Sequence, residues 1–188
     1  MRQGFLFCII AAVVFCAPVF GVGGDMGGAD PNGSPEKPYL IEDLADFDTF
    51  ADPNNAATYW AAGVHTKLMT DIDLSGRTYQ TAVIAPDTSG DFGFQGTYYS
   101  GVFDGNNLPI SNLTISISNT GDYYYALFGK IGETTASIEN LDIENMSVVN
   151  GSTSDYIGGL VGFNDSGSIT NCSWNGTING GHTIGGLV

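Results

Sequence analysis

The sequence runs to 188 residues, with 20 acidic against 5 basic side chains, a net charge of −15 and 27 glycines. Such a chain lacks the clustered cations that displace counterions from phosphate, which excludes nucleic acid as a partner, and an anionic lipid surface repels it equally. Its acidity serves solubility, and its length suffices for one domain with a core of its own.

Arg2 is the only charge ahead of Phe5 to Phe20, where every residue is apolar or small, and Val19-Phe20-Gly21 supplies an exit. A basic start, an apolar centre and a small-residue exit predict a secretory signal peptide over 1–21. The apolar run falls short of the roughly 20 residues that span a bilayer, so no membrane insertion is expected once the leader is removed. Phe15 before Cys16 speaks against a lipid-attachment motif. Cys8 and Cys16 leave with the leader, so Cys172 has no partner for a disulfide within this chain.

Residues 22–37, rich in Gly, Pro and Asp, read as a flexible leader into the fold. Pro38 to Ile41 suggests a first short strand. Leu44, Phe47 and Phe50 recur at helical spacing and predict a helix over Glu42 to Ala51. Asp52-Pro53 opens a turn before a second short helix over Asn55 to Ala62. Lys67 to Leu74 largely alternates polar and apolar residues and reads as one strand. Residues 38–108 thus form an N-terminal cap and the first turns, and 109–188 the repeats.

The repeats decide the fold class. Ile110-Ser-Asn-Leu-Thr-Ile115, Ile138-Glu-Asn-Leu-Asp-Ile143 and Ile169-Thr-Asn-Cys-Ser-Trp174 align without gaps, their starts 28 and 31 residues apart. A second series interleaves: Tyr125 to Gly129, Gly158 to Gly162, and Gly185 to Val188. Alternating motifs at a near-constant period indicate a solenoid, in which one repeat cannot bury its apolar face alone. Ile, Val, Thr, Ser, Asn and Gly dominate, which favours strands. The expected fold is all-β, a right-handed parallel β-helix (β-solenoid) entered through a short helical cap. A left-handed turn at Asn112, Asn140 and Asn171 would keep the flanking apolar residues inside and stack the three amides in one ladder. Ile110, Leu113, Ile138, Leu141, Leu160, Ile169 and Cys172 are expected to be buried in register, with Cys172 a core residue rather than a nucleophile. The chain stops at Gly185-Gly-Leu-Val188, short of the glycine that completes the motif at Gly162. Further repeats are therefore expected beyond a truncated C-terminus, whose open last turn would self-associate edge to edge.

On Gly158-Gly-Leu-Val-Gly-Phe-Asn164, Gly167 to Cys172 and the return at Gly185 to Val188, the chain resembles bacterial proteins with the GLUG motif. Pro38-Tyr-Leu-Ile41, Asp71-Ile-Asp-Leu-Ser75, Phe103-Asp-Gly-Asn106 and Ile110 to Ile115 are similar to the N-terminal part of such proteins. Asp104-Gly-Asn-Asn-Leu108 departs from the usual stretch at two positions, one of them a histidine. The resemblance implies an adhesin-like surface or secreted β-solenoid and a non-catalytic motif, one that also stands beside protease domains in immunoglobulin A peptidases.

Motifs that carry chemistry are few. His65 and His182 lack the His-Glu-x-x-His spacing of a zinc peptidase, Asn164 to Ser168 misses the serine elbow, and no phosphate loop follows Gly158-Gly159. Asn-x-Ser/Thr sequons recur, at Asn32 and Asn145 among others, as such a composition dictates. A lyase would have only Lys130 as base within the repeats. A glycosidase, or a calcium site, would draw on Asp71, Asp73 and Asp104, but these read first as turn and surface groups. Tyr98-Tyr99 and Tyr123-Tyr124-Tyr125 either bind sugar or protein or pack a β face. No catalytic, cofactor-binding or metal-ligating residue is assigned and no cofactor is expected. The function expected is adhesion, matrix contribution or display, with a glycan or a host or cell-surface protein as partner. The alternatives are a polysaccharide-processing β-helix and a non-catalytic repeat region of a longer surface peptidase.

Overall fold

The computed structural model describes residues 26–27, 31–118, 123–149, 156–180 and 183–188. The signal peptide expected over 1–21, His182 and the sequon at Asn150 lie outside them. Within the segment read as a leader, Met26 is buried and its N–H donates to Asp46, while the Gly33 carbonyl accepts from His65 N–H at 2.7 Å. No helix of the described residues is long and apolar enough to cross a membrane.

Strand β1 (Tyr39–Ile41) pairs in parallel with β2 (His65–Leu68), and the helical cap lies between them in sequence. Helix α1 (Leu44–Ala51) starts later than the expected Glu42 because Asp43 is its N-cap, accepting from the Ala45 and Asp46 N–H groups at 2.8 and 3.0 Å. After a 3₁₀ turn at Pro53–Asn55, α2 (Ala56–Tyr59) stops short of the expected Ala62. Trp60 ends it by turning inward, its indole N–H donating to the Phe50 carbonyl at 2.7 Å. Phe47, Phe50 and Trp60 are buried, and the Phe50 ring lies 5.4 Å from Phe103 and 6.0 Å from Tyr99. The cap thereby covers the apolar end of the first turn.

Beyond the cap the chain winds as a β-solenoid of about three turns, and every pairing between its named strands is parallel. The single strand expected over Lys67 to Leu74 is two, β2 and β3 (Ile72–Asp73). Next come β4 (Val102–Ser111), β5 (Thr114–Ser116), β6 (Tyr124–Tyr125), β7 (Phe128–Gly132) and β8 (Ser137–Val149). The next turn holds β9 (Tyr156–Ile157), β10 (Val161–Asp165), β11 (Ser168–Thr170) and β12 (Ser173–Ile178), and β13 (Thr183–Ile184) stacks on β9 as the start of another. The largest sheet runs β1-β2-β4-β8-β11, with β3 on β4 and both β5 and β12 on β8. β7 and β10 form a second sheet, and β6, β9 and β13 a third. Between the third and second sheets each turn passes a tight corner. At Gly159 a Cβ would strike both the Gly186 carbonyl and the Trp174 ring, so successive backbones meet there only because the side chain is absent.

In β8, Ile138, Leu141, Ile143, Met146 and Val148 are buried, a spacing that strict alternation cannot give. Asn140 and Asn145, at φ 54° and 53°, take left-handed turns that reset the phase and return the next residue to the interior. A short unit, apolar-x-Asn-apolar-x, therefore occurs twice within this one strand. That doubling overturns part of the expected alignment. Ile138 and Ile169 do pair, but Ile110 pairs with Ile143 and not with Ile138. Phe103 takes the place beside Ile138, because β4 bulges between Asp104 and Leu108 where β8 turns at Asn140 alone. Two side-chain ladders replace the single one expected from Asn112, Asn140 and Asn171.

Ile110, Leu113, Ile138, Leu141 and Leu160 are fully buried. Ile169 and Cys172 are half-buried, against expectation, although both pack on the core. They belong to the last described layer of the largest sheet, which is packed from one side.

Candidate functional site

The three aspartates singled out from sequence do not converge. Asp104 takes the Lys67 ammonium at 2.8 Å and the Asn140 amide at 3.0 Å, and Asn171 donates to Asn140 at 3.3 Å, forming the first ladder. Asp73 accepts from the Asn112 amide at 2.8 Å, Asn145 donates to Asn112 at 2.6 Å, and Asn175 accepts the Asn145 N–H at 2.9 Å, forming the second. Each amide column thus ends on a carboxylate. The Asn112 amide, then Ser75, hold the Asp73 carboxyl below its ordinary range. At Asp104 partial burial pushes upward, but Lys67, Asn140 and the Asn106 N–H outweigh it and the net shift is downward. Asp71 is exposed. Among the described residues no group of three or more His, Cys, Asp and Glu side chains is placed to hold a metal. The Cys172 thiol is pushed up by burial and donates toward the Thr170 and Ile138 carbonyls, unlike an activated nucleophile.

Of the tyrosines, Tyr99, Tyr124 and Tyr125 are buried and pack the fold, whereas Tyr98 is 40% exposed. Tyr98 belongs to a chemically varied surface built by stacking. Tyr99 bridges to Ile131 and Phe163 pairs with Lys130, so Tyr98, Lys130 and Phe163 lie in one outward column across three successive turns. The Lys130 ammonium sits 5.3 Å from the Phe163 ring centre, 5.6 Å from Phe94 and 5.7 Å from Tyr98, and 3.3 Å from the Asp165 carboxylate. Glu133 accepts the Tyr98 hydroxyl proton at 3.1 Å, and that bond holds the phenol above its ordinary pKa. The buried Tyr124 ring backs these aromatics from beneath, 5.7 Å from Phe94, 5.6 Å from Phe163 and stacked on Tyr156 at 5.0 Å.

A recess of about 280 Å³ opens here, lined by Tyr98, Lys130, Glu133, Thr134, Asp165 and Ser166. A second recess, of about 550 Å³, lies between the helical cap and the loop before Tyr98, and Tyr98 lines both. Rings 37–40% exposed at Phe163 and Tyr98 offer flat apolar faces beside two carboxylates and an ammonium. The chemistry such a cradle offers to a ligand is stacking and hydroxyl hydrogen bonding. Lys130, the one basic side chain of the repeats, is engaged by Asp165 and three rings. Sequence reasoning singled out Tyr98 and Lys130 but missed Phe94, Glu133, Phe163 and Asp165. A signal for Phe163 was present: aligning Gly129 with Gly162 sets Lys130 beside it.

The repeat that contributes Phe163 and Asp165 also matches a known family model. Residues 153–179 carry the GLUG motif. The GLUG segment supplies β10, β11 and β12, so it builds one wall of the cradle. The chain is 33% identical over 164 residues to "Halomucin" of Haloquadratum walsbyi, covering 84% of this chain and 2% of that protein. It is 31% identical over 193 residues to a "Putative Gly-rich membrane protein" of Evansella cellulosilytica, covering 85% of this chain and 20% of that one. The chain thus spans a small fraction of the curated relatives it matches. No solved structure matches.

Proposed function

We propose that this chain is part of a surface-associated, non-catalytic β-solenoid that retains saccharide chains on the Tyr98–Lys130–Phe163 column, in adhesion, matrix contribution or display. The column carries the reading: aromatic faces accept the C–H face of a sugar ring, and Glu133 and Asp165 accept its hydroxyl protons. With a net charge of −15 and two carboxylates at the rim, the ligand is a neutral saccharide rather than an acidic one. The names of the relatives, Halomucin and a Gly-rich membrane protein, support a place at the cell surface. Catalysis is disfavoured because a lyase base must be free to take a proton, and Lys130 is held by Asp165.

Retention on immobilised neutral and acidic polysaccharides, with reducing ends followed in parallel, tests this. The expected result is retention on a neutral polymer with no release of ends. Release of ends, abolished by Lys130→Ala or Glu133→Gln, would make the protein a polysaccharide-processing enzyme instead.

A further inference from the structure

The loop that delivers Phe94 and Tyr98 to the cradle is built around a buried acid. Asp87 is 2% exposed. Its Oδ1 accepts the Gln95 N–H at 3.0 Å and the Ser89 N–H at 3.3 Å, from opposite limbs of the loop, so the carboxyl group sits inside it. Its Oδ2 is also buried, and no protein donor reaches it. Asp91 lies on the same loop, its carboxylate accepting the Ser89 hydroxyl proton at 2.8 Å. Neither acid has a cationic partner among the described residues, where Lys67, Arg77 and Lys130 are committed to Asp104, Asp48 and Asp165.

Burying an ionised carboxylate unpaired costs several kcal/mol, and a second carboxylate nearby adds to the cost. Protonation or a bound cation relieves it, and an orphaned buried oxygen is one of the marks an ion site leaves in a protein. Asp87, Ser89 and Asp91 recur at every second residue, and the Phe92 and Gly93 carbonyls accept only long contacts from the Gln95 amide, at 3.4 and 3.3 Å. The donors on offer are all oxygens, which suits a hard cation and excludes zinc or copper. A pliable loop of mixed carboxylate, hydroxyl and carbonyl oxygens fits calcium better than magnesium, which demands a tight octahedron.

We propose that the loop over 87–95 binds one calcium ion through the Asp87 and Asp91 carboxylates. The site fixes the loop that presents Phe94 to Lys130, and it stands whether or not the cradle holds sugar.

Calorimetric titration of chelator-treated protein with calcium chloride tests it directly. Saturable one-site binding is expected with Kd on the order of 10⁻⁴–10⁻³ M, the range of extracellular modules, with magnesium weaker. Thermal stability should rise with calcium above that concentration. Asp91→Asn should weaken binding at least tenfold, Asp87→Asn should abolish it, and Asp71→Asn, on an exposed acid elsewhere, should leave it unchanged. Because Asp91 is exposed, its variant keeps the test intact if the Asp87 variant fails to fold. Absence of saturation at ten times the upper Kd, or equal weakening by Asp71→Asn, would overturn the proposal.

Discussion

Asn140 does two things that substitution can separate. Its backbone takes the left-handed turn that resets the strand, and its amide links Asp104 to Asn171. Asn140→Gly keeps the turn and loses two hydrogen bonds, each worth about 0.5–1.5 kcal/mol net. Asn140→Ala loses both and adds about 1–2 kcal/mol of left-handed strain. Urea denaturation should therefore rank wild type above the glycine variant and the glycine variant above alanine; equal losses would mean the turn carries no strain. Asp104 marks the other end of that ladder. Its folded carboxyl titrates below its unfolded value near 3.9, so the stability it contributes is complete above that value and is lost as pH falls through the folded one. Asp104→Asn should accordingly cost stability at pH 7, and that cost should shrink progressively as pH falls below about 3.9, measured on the same urea curves. Asp87 has the opposite sign: burial raises its carboxyl, so in chelator its ionisation costs stability and acid relieves that cost.

Leu141 stands for the strands. It is fully buried in β8 beside Leu108, and Leu141→Ala should cost about 2–5 kcal/mol by loss of apolar contact and the cavity left behind. A loss below 1 kcal/mol would show that the interior closes over the gap. The parallel solenoid, the helical cap and the left-handed asparagines were legible because each rests on local chemistry: β-branched alternation, the helical spacing of Leu44, Phe47 and Phe50, and the backbone tolerance of Asn. The register of the first repeat was not. Ile138 to Ile143 and Ile143 to Val148 carry the same short pattern, so a gapless alignment of Ile110 had two equally good partners, and the bulge at Asp104 to Leu108 chose the second. The cradle was hidden for a related reason, since its residues meet only through stacking across turns. Tyr98 and Lys130 stood out by type, whereas Phe163 and Glu133 became visible only in register.

At the scale of the molecule, stacking turns a weak repeat into a surface: each turn adds one outward position to the column, and the net charge of −15 sets a negative field around it. The three exposed or half-exposed members of the column are separable from the core that holds them in place. Tyr98→Ala with Phe163→Ala should leave the melting temperature close to wild type, because both rings are more than a third exposed. The same double variant gives the most direct test of saccharide retention. Its dissociation constant should be measured on the neutral polysaccharide that wild type retains. Each ring contact is worth about 0.5–1.5 kcal/mol, so removing two should weaken binding about tenfold or more. Unchanged binding by a folded double variant would place the ligand elsewhere on the solenoid and contradict the account.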